Sequence, residues 1–438
     1  MNDLRPDEYR SPHAPVESAL VVAVTGNKIA FRDGRWHTHH SFGRIVDLLA
    51  QRVNCIEYHA PQSPDAAACD YAFAAPNVRV IPWSVQRNSL EALRSPLSLL
   101  RGYCRMTRDC DAVFVRGSGP LNWILHWRAA AMRLPIVHWV VGDPYSLLRA
   151  QPRGYGTWME RGGTGFAWFE QKMLRYSTRL SRAHVIANGR AIAELFRGSK
   201  VVPVVSTSIT KDDFWVRDDT CQLPRIRLLF VGYVRPEKGL EYLIRAMPLI
   251  RGDNPVDLAI VGSTHQFPAE EQRLRRLAVD LGVAERISWE GYAPFGPVLF
   301  SQMDRSDILA LPSLSEGTPR VLVEARARSL PLVSTNVGGI PSSIIDGRDG
   351  LLVPPADPEA LASAISRILA DGELRRGLIE EGRRNVADWT VEKFVARVAS
   401  LLIPRARNSV GDSESRPRES GAPTVPPPYG RGSDGAPL

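Results

Sequence analysis

The sequence has few cysteines, few lysines and no long apolar run. Its five cysteines among 438 residues form no Cys-x-x-Cys pair, which argues against a disulfide framework and against structural zinc. The longest apolar region, residues 121–141, is interrupted by two histidines and two arginines, so it does not predict a simple membrane-spanning helix. Residues 1–10 carry three acidic side chains and lead into no apolar segment. We therefore expect no secretory signal peptide and a cytoplasmic protein.

The positive charge is concentrated in the first half of the chain. Residues 1–220 contain 28 basic and 20 acidic side chains, whereas residues 221–438 contain 27 of each. This excess favours an anionic partner for the first half, such as membrane headgroups or a lipid-linked phosphate; a solvated basic surface is the alternative. No aromatic-basic RNA motif or recognition helix accompanies it, so we expect no nucleic-acid partner.

Short apolar runs alternate with segments long enough for helices, a pattern typical of parallel sheets. One series begins at residues 20–25 and a second begins at residues 227–231, after a polar stretch. We predict an α/β protein with two doubly wound domains, residues 1–218 and 224–387, that face each other across a cleft. Residues 388–403 predict a helix that packs back on one of the domains, with the N-terminal one as the candidate. Residues 404–438 are rich in Pro, Ser, Gly and Arg, which predicts a disordered tail.

The most informative motif is Pro-Ser-Leu-Ser-Glu-Gly-Thr-Pro-Arg-Val-Leu-Val-Glu-Ala at 312–325, which follows a predicted strand. Thr318 is a good N-cap and Pro319 a good first helical residue. The free amides of Arg320 and Val321 would then point out of a helix N-terminus, where phosphate binds.

Two glutamates flank this predicted helix start. Glu316 would lie just outside it and Glu324 within it, and the helical rise would place their carboxylates roughly 10 to 12 Å apart. A diphosphate between them would have a polyol at each end, and carboxylates accept charge-assisted hydrogen bonds from sugar hydroxyls. The alternative is that Glu316 caps a loop and Glu324 is a solvated helix residue.

Two further motifs follow predicted strands. In the stretch 230–239, Gly232 permits a sharp exit from the strand, while Arg235 and Lys238 supply cations beside the next helix. In the stretch 336–341, paired glycines permit a close approach of the backbone to a ligand. Each motif taken alone is also common in ordinary surface loops.

Taken together and in this order, the three motifs resemble the family 4 glycosyltransferases. That family has a glycine loop ending in Lys-Gly, then Glu-x7-Glu, then Gly-Gly-x-Pro, and the match runs from about residue 228 to 364. The resemblance implies a GT-B fold, two Rossmann-like domains around a cleft. It makes residues 1–218 the acceptor domain and residues 224–387 the nucleotide-sugar donor domain.

The resemblance also implies roles for individual residues. Lys238 would hold the donor diphosphate, Glu316 the transferred sugar and Glu324 the ribose. The implied donor-binding residues are Gly232, Lys238, Thr318, Arg320, Val321, Leu322 and Glu324. The candidate catalytic residues are Glu316, Lys238, Arg235 and Asp143.

The implied reaction is glycosyl transfer with retention of configuration, in which Lys238, Arg235 and helix dipoles stabilise the departing nucleotide diphosphate. We expect no metal ion and no other cofactor. The chain departs from the family pattern at Tyr233, where an arginine is frequent, and Arg235 is the candidate to replace it. Ser342 stands where the family often has glutamate, and Leu330 where it has a small residue. These departures leave the donor's sugar open.

The acceptor half is less informative. Asp143 is the candidate to contact sugar or acceptor, His138 reads as a strand residue, and the loop 26–40 suits an acceptor phosphate. Residues 155–182 combine aromatic and basic side chains, which suits either peripheral contact with an anionic membrane or a core helix with a basic outer side.

We therefore expect a glycosyltransferase that acts on a glycan or polyprenyl-diphosphate-linked acceptor, in the biosynthesis of cell-surface polysaccharide or glycolipid. Two alternatives stay open. One is a nucleotide-sugar-binding regulatory or scaffold protein without turnover, and the other is a nucleotide-sugar epimerase of the same fold.

Overall fold

A computed structural model describes residues 20–66, 69–85, 96–117, 119, 121–142, 145, 158–265 and 267–403. These described residues cluster as one compact unit. The predicted tail and the candidate Asp143 lie outside the described residues. No helix within the described ranges is long and apolar enough to cross a membrane.

The first half of the chain forms a mostly parallel sheet with helices packed on it. Its strands are β1 (Val21–Thr25), β2 (Ile29–Arg32), β3 (Arg35–Thr38), β4 (Cys55–Gln62), β5 (Tyr71–Ala72), β6 (Val78–Val85), β7 (Ala112–Arg116), β8 (Ile136–Val140), β9 (His184–Asn188) and β10 (Lys200–Val204). The described helices are α1 (His40–Ala50), α2 (Pro96–Met106), α3 (Asn122–Ala131), α4 (Trp158–Leu180) and α5 (Arg190–Leu195). The order is β10-β9-β8-β7-β1-β4-β2-β3-β5, with β6 also paired to β4. The central strands are buried on both faces, which explains their continuous apolar sequences.

Part of the loop predicted at 26–40 is a β-hairpin. β2 pairs antiparallel with β3 across the two-residue turn Asp33-Gly34. Asp33 and Gly34 have φ angles of 52° and 73°, the left-handed conformation that such turns require. The Asp-Gly pair between β-prone residues was the sequence signal for this hairpin.

The second half forms an all-parallel sheet. Its strands are β11 (Ile226–Val231), β12 (Val256–Val261), β13 (Ile287–Gly291), β14 (Ile308–Leu311), β15 (Leu332–Thr335) and β16 (Leu351–Val353). Its helices are α6 (Leu240–Ala246), α7 (Pro268–Asp280), α8 (Pro297–Asp304), α9 (Val321–Ala327), α10 (Pro358–Ala370) and α11 (Gly372–Val386). The strand order β13-β12-β11-β14-β15-β16 reverses direction between β11 and β14. Ligands of doubly wound folds bind at the carboxyl ends of the strands at such a switch point.

The last described helix, α12 (Val391–Leu402), returns to the first sheet. Its apolar residues recur every three or four positions and join the core beneath β7 and β8. The Phe394 ring lies 4.6 Å from that of Trp139 on β8. The Thr390 hydroxyl caps the helix by accepting the Lys393 N–H.

Candidate functional site

The loops after β11, β14 and β15 pack backbone against backbone. Gly239 has a φ of 66°, and a Cβ added there would lie 2.1 Å from the Pro312 carbonyl oxygen. Gly338 has a φ of 55°, and a Cβ there would lie 1.9 Å from the Glu316 carbonyl oxygen. No side chain fits at either position. The glycines of the second and third motifs therefore allow both loops to approach the 312–325 motif.

Lys238 and Glu316, predicted from separate motifs, meet in this cluster of loops. The Lys238 ammonium lies 2.5 Å from Glu316 Oε1, and the Ser313 hydroxyl donates to the same oxygen at 2.8 Å. Both charged side chains are mostly buried, with 17% and 9% of their surface exposed. This pair supplies a donor and an acceptor of hydrogen bonds side by side at the switch point.

Arg235 has different neighbours. Its guanidinium lies over the Tyr233 ring, 5.1 Å from the centroid, and 3.3 Å from a carboxylate oxygen of Glu237. Its Nε is buried without a hydrogen-bond partner. Within the described residues Arg235 forms no ion pair with Glu316 or Glu324, so the structure does not join it to the Lys238 cluster.

The predicted helix start at Thr318 and Pro319 is wrong. Helix α9 begins at Val321, and its N-cap position is Arg320, with no side-chain cap. The Leu322 N–H bonds to the Pro319 carbonyl three residues back, so the chain makes a tight turn before the α-helix starts. Nearby, the Gly317 carbonyl accepts the Gly339 N–H at 2.8 Å, a contact that sequence periodicity does not encode.

The side chains around this turn point in different directions. Thr318 Oγ1 would lie 2.8 Å from a Cβ at Gly339, so the hydroxyl packs against the glycine loop. Arg320 donates to the Ser208 hydroxyl at 2.8 Å, in the segment between β10 and β11. Val321 and Leu322 pack in the hydrophobic core, so only their backbone could contact a ligand.

Glu324 is buried, with 6% of its surface exposed, which contradicts the interpretation of a solvated helix residue. Burial raises the pKa of its carboxyl to about 7, the charge of Arg320 lowers this pKa, and Asp213 raises it. No hydrogen bond or ion pair joins the carboxyl to another described residue. A buried carboxyl without donors is costly, so it marks a place where ligand hydroxyls can bind.

Gly232 is accompanied by a glycine that the sequence reasoning missed. A Cβ at Gly262, after β12, would lie 1.7 Å from the Gly232 carbonyl oxygen, whereas a Cβ at Gly232 would meet only the Phe230 ring, at 3.4 Å. The tight position is therefore Gly262. Its signal in the sequence is a glycine directly after an apolar run.

In the first half of the chain, His39 and His40 lie at the start of α1, and His40 faces the second sheet. The His40 N–H donates to Asp70 at 2.7 Å, and its ring lies 5.3 Å from that of Phe295, which follows β13 of the second sheet. Burial lowers the pKa of both histidines. The residues that sequence reasoning missed here are Asp70 and Phe295, which carry no local motif.

His138 is a strand residue, as predicted. It is fully buried on β8, and its Nδ1 lies 2.8 Å from Nε2 of His126 while its Nε2 lies 2.8 Å from the Gly117 carbonyl. Burial lowers the pKa of His138 to about 4, so the pair is neutral at physiological pH. It acts as an internal polar contact between α3 and β8.

Comparison with known proteins finds a family match in the second half of the chain. Residues 225–371 match the family model described as glycosyl transferases group 1. The chain is 36% identical over 188 residues to a D-inositol 3-phosphate glycosyltransferase of Acidothermus cellulolyticus, an alignment that covers 41% of this chain and 42% of the relative. It spans about two fifths of the length of such curated relatives.

Solved structures resemble the chain over much more of its length. Sucrose-phosphate synthase from Thermosynechococcus elongatus has a TM-score of 0.63 at 18% identity, covering 87% of this chain and 98% of that one. Anabaena HepE, solved in complex with UDP, has a TM-score of 0.60 at 17% identity, covering 87% and 99%. WaaG, a glycosyltransferase involved in lipopolysaccharide biosynthesis, has a TM-score of 0.60 at 17% identity, covering 87% and 100%.

These likenesses confirm the fold that the motifs implied. The two sheets form the GT-B fold of these glycosyltransferases. The three motifs at 230–239, 312–325 and 336–341 all fall inside the matched family region. Residues 225–371 thus resemble the group 1 glycosyl transferases within a chain of GT-B fold.

Proposed function

We propose that this protein is a glycosyltransferase that moves a sugar from a nucleotide-diphosphate sugar to a glycan acceptor. The observation that carries the proposal is the mostly buried Lys238–Glu316 pair in the same loop cluster as the start of helix α9, which carries the buried, unpaired Glu324. Recognition of such a donor requires a cation that binds the phosphates and carboxylates that bind the sugar hydroxyls. The UDP complex of HepE supports a nucleotide as the ligand of this fold.

The donor would extend across the switch point of the second sheet. Its ribose hydroxyls would donate to Glu324, its diphosphate would accept from Lys238, and the transferred sugar would donate to Glu316. Because Lys238 and Glu316 already neutralise each other, the donor has to share this pair rather than bind a free cation. Hydroxyl donors would replace part of the lysine's contact with the glutamate.

Catalysis would rest on stabilising the leaving nucleotide diphosphate. Negative charge develops on this group as its bond to the sugar breaks. The Lys238 ammonium can stabilise that charge by donating a hydrogen bond to it. Arg235 would also contact the leaving diphosphate after it breaks its contacts with Tyr233 and Glu237. We propose that these cations act without a metal ion and that the transfer retains the anomeric configuration.

The acceptor would bind between the sheets and would be linked to a lipid. Helix α4 is fixed to α3 because Glu170 accepts the indole N–H of Trp123, at 3.0 Å, and a backbone N–H. The outer side of α4 exposes Trp168 and Phe169, and Lys172 lies over the Trp168 ring. Aromatic rings with adjacent cations suit the interface of an anionic membrane. We propose a peripheral, cytoplasmic enzyme of cell-surface polysaccharide or glycolipid biosynthesis, as the role of WaaG in lipopolysaccharide biosynthesis suggests.

The first test is a thermal-shift panel with UDP, GDP, ADP and their common sugar conjugates. A ligand that binds only the folded state raises the unfolding midpoint. We expect one nucleotide to stabilise the wild-type chain, and Lys238→Ala and Glu324→Gln to lose most of that shift. Arg245→Ala, which removes an exposed arginine paired with Glu241, is the matched control and should keep it.

Turnover separates this proposal from its alternatives. Release of the nucleoside diphosphate from the selected donor, accelerated by an acceptor extract, supports transfer. Nucleotide binding without any release of the diphosphate would instead indicate a binding protein. Conversion of the donor into a different nucleotide sugar in the absence of an acceptor would indicate an epimerase.

A further inference from the structure

Arg116 is the arginine at the carboxyl end of β7, in the first sheet. It pairs in register with Trp139 of β8, and its guanidinium lies over two rings, 5.3 Å from the centroid of Phe42 and 5.1 Å from that of Trp139. Its Nη1 donates to the side-chain oxygen of Asn27. The two rings and the amide hold the guanidinium in one orientation at the edge of the sheet where ligands of this fold bind.

Within the described part of the chain no carboxylate pairs with Arg116, and its Nε is buried without a hydrogen-bond partner. Burial lowers the pKa of the guanidinium to about 10, still well above physiological pH, so the group is charged. A largely desolvated cation without a counter-ion is unfavourable. An anion from outside the protein would supply the missing charge.

One further cation, Arg320, acts on Arg116, and the ring of His39 lies close to both charges. The charge of Arg320, from the second sheet, lowers the pKa of Arg116, and the charges of both arginines lower the pKa of His39 at the start of α1. The one carboxylate that acts strongly on His39 is Asp70, which also accepts the His40 N–H. Arg320 itself is held by the Ser208 hydroxyl, a neutral group. The charge of Arg320 also acts on the Glu324 carboxyl, so among the described residues Arg116 is the cation of this region on which no carboxylate acts.

We propose that Arg116, assisted by His39 and Arg320, binds a phosphate group of the acceptor. That this phosphate belongs to an acceptor rests on the proposed transfer reaction. The guanidinium, unpaired among the described residues, binds an anion whichever reaction the protein catalyses. The donor diphosphate is assigned to Lys238, which follows β11 of the other sheet, so Arg116 is available for a second phosphate. The acceptor class is then a phosphorylated sugar, a phosphorylated polyol or a lipid-linked phosphate.

The test is calorimetric titration of the full chain with inorganic phosphate and with glucose 6-phosphate, each with and without saturating UDP. The variants are Arg116→Met, which keeps an apolar side chain against the rings, and Arg116→Lys, which keeps the charge. The matched control is Arg79→Met, because Arg79 is an exposed arginine on β6 of the same sheet.

We expect Arg116→Met to weaken phosphate binding at least about tenfold, Arg116→Lys to weaken it less, and Arg79→Met to leave it unchanged. The affinity for UDP should change less than about twofold in all three variants. Far-ultraviolet circular dichroism and the unfolding midpoint verify that each variant is folded. If Arg116→Met does not fold, the outcome is decided by Arg116→Lys. A lower affinity for phosphate with an unchanged affinity for UDP would then support the proposal.

Three results would overturn the proposal. The first is a wild-type chain that binds neither phosphate nor glucose 6-phosphate at millimolar concentration. The second is an Arg116→Met variant that loses UDP as strongly as phosphate, which would assign Arg116 to the donor. The third is an equal effect of Arg79→Met. Phosphate binding in a chain that binds no nucleotide would contradict the proposed transfer reaction and leave the phosphate site standing.

Discussion

Lys238 and Glu316 form an ion pair of 2.5 Å that joins the loop after β11 to the loop after β14. Seventy-eight residues separate them in the chain. Each neutralises the other, so the site holds a cation and a carboxylate at close range without a large net charge. This arrangement suits a ligand that carries both hydroxyls and phosphate.

The first prediction concerns the two members of this pair. We expect Glu316→Gln to reduce kcat by about 100-fold while the nucleotide Kd changes little, because the transferred sugar rather than the nucleotide is assigned to Glu316. Lys238→Ala should raise the nucleotide Kd by about tenfold and also reduce kcat. Steady-state kinetics and nucleotide titration measure both effects. Equal losses of nucleotide affinity in the two variants would contradict the separate roles.

The second prediction concerns Glu324 and pH. Burial raises its folded-state pKa to about 7, above the ordinary value of 4.5. The contribution of Glu324 to the free energy of unfolding is therefore largest below pH 4.5 and is lost as the pH rises to 7. Ionisation of Glu324 should cost roughly 3 kcal/mol as pH rises through this window. Glu324→Gln cannot ionise and should therefore be more stable than the wild type at pH 8. Near pH 4.5 that advantage should disappear.

Urea unfolding of both proteins at pH 4.5, 6, 7 and 8 checks this prediction. A stability difference that stays constant across the series would show that the Glu324 carboxyl does not titrate in this range. Glu359→Gln is the control, since Glu359 is a partly exposed helix residue whose substitution should leave the pH dependence unchanged.

The third prediction compares two glycines with the same backbone angle. Gly239 and Gly282 have φ values of 66° and 67°, but only Gly239 has a backbone oxygen where a Cβ would be placed. Gly282→Ala should cost about 1 kcal/mol, the strain of a left-handed alanine. Gly239→Ala should cost clearly more and also weaken nucleotide binding, because the loop that carries Lys238 must move. Equal stability of the two variants in urea would contradict the close approach to Pro312.

The fourth prediction concerns the buried ion pair between Arg326, on α9, and Asp349, 2.8 Å apart. Asp349 also accepts from Asn385 on α11, so the pair links the helix that carries Glu324 to its neighbour. Asp349→Asn should destabilise the chain by about 3 to 5 kcal/mol because it leaves a buried arginine unpaired. The double variant Arg326→Met with Asp349→Leu should recover part of the loss. Denaturant unfolding of the wild type, Arg326→Met, Asp349→Leu and the double variant gives the coupling free energy, and strict additivity would argue against it.

The fifth prediction concerns the aromatic surface of α4. The double variant Trp168→Ser with Lys172→Ser should reduce co-sedimentation with phosphatidylglycerol vesicles by about fivefold or more, because it removes a ring and a cation from the outer side of the helix. Tyr292→Ser, which removes an aromatic ring that is 65% exposed after β13, is the control. Wild-type protein that does not sediment with these vesicles, or a control that behaves like the double variant, would rule out this surface as the contact.

Motif order predicted much of the second sheet and its edge. Apolar runs followed by glycine or by Pro-Ser fixed where the strands end, and parallel strands place these ends at one edge of the sheet. The meeting of Lys238 and Glu316 followed from that edge, and the group 1 family match includes both residues. The helix start was wrong by two residues, because the tight turn from Pro319 to Leu322 delays it.

The first sheet was less predictable. Its central strands could be read from continuous apolar runs, but the residues at its ligand-facing edge lie in no motif. In the sequence Arg116 is an ordinary arginine at the end of an apolar run. Only the folded chain brings its guanidinium against the rings of Phe42 and Trp139, which are 74 and 23 positions away. Burial of that kind is a property of the packed chain.

The sequence by itself determined the fold class, the two-sheet organisation and the donor motifs, because these depend on hydrophobic periodicity and on local turn residues. Tertiary structure decided which charges are paired. Among the described residues it placed Lys238 against Glu316, left Glu324 buried without a hydrogen-bond donor and left Arg116 without a counter-ion. The physical reason is that the free energy of a charge depends on its solvent exposure and its neighbours, and both are set by contacts between residues distant in the chain.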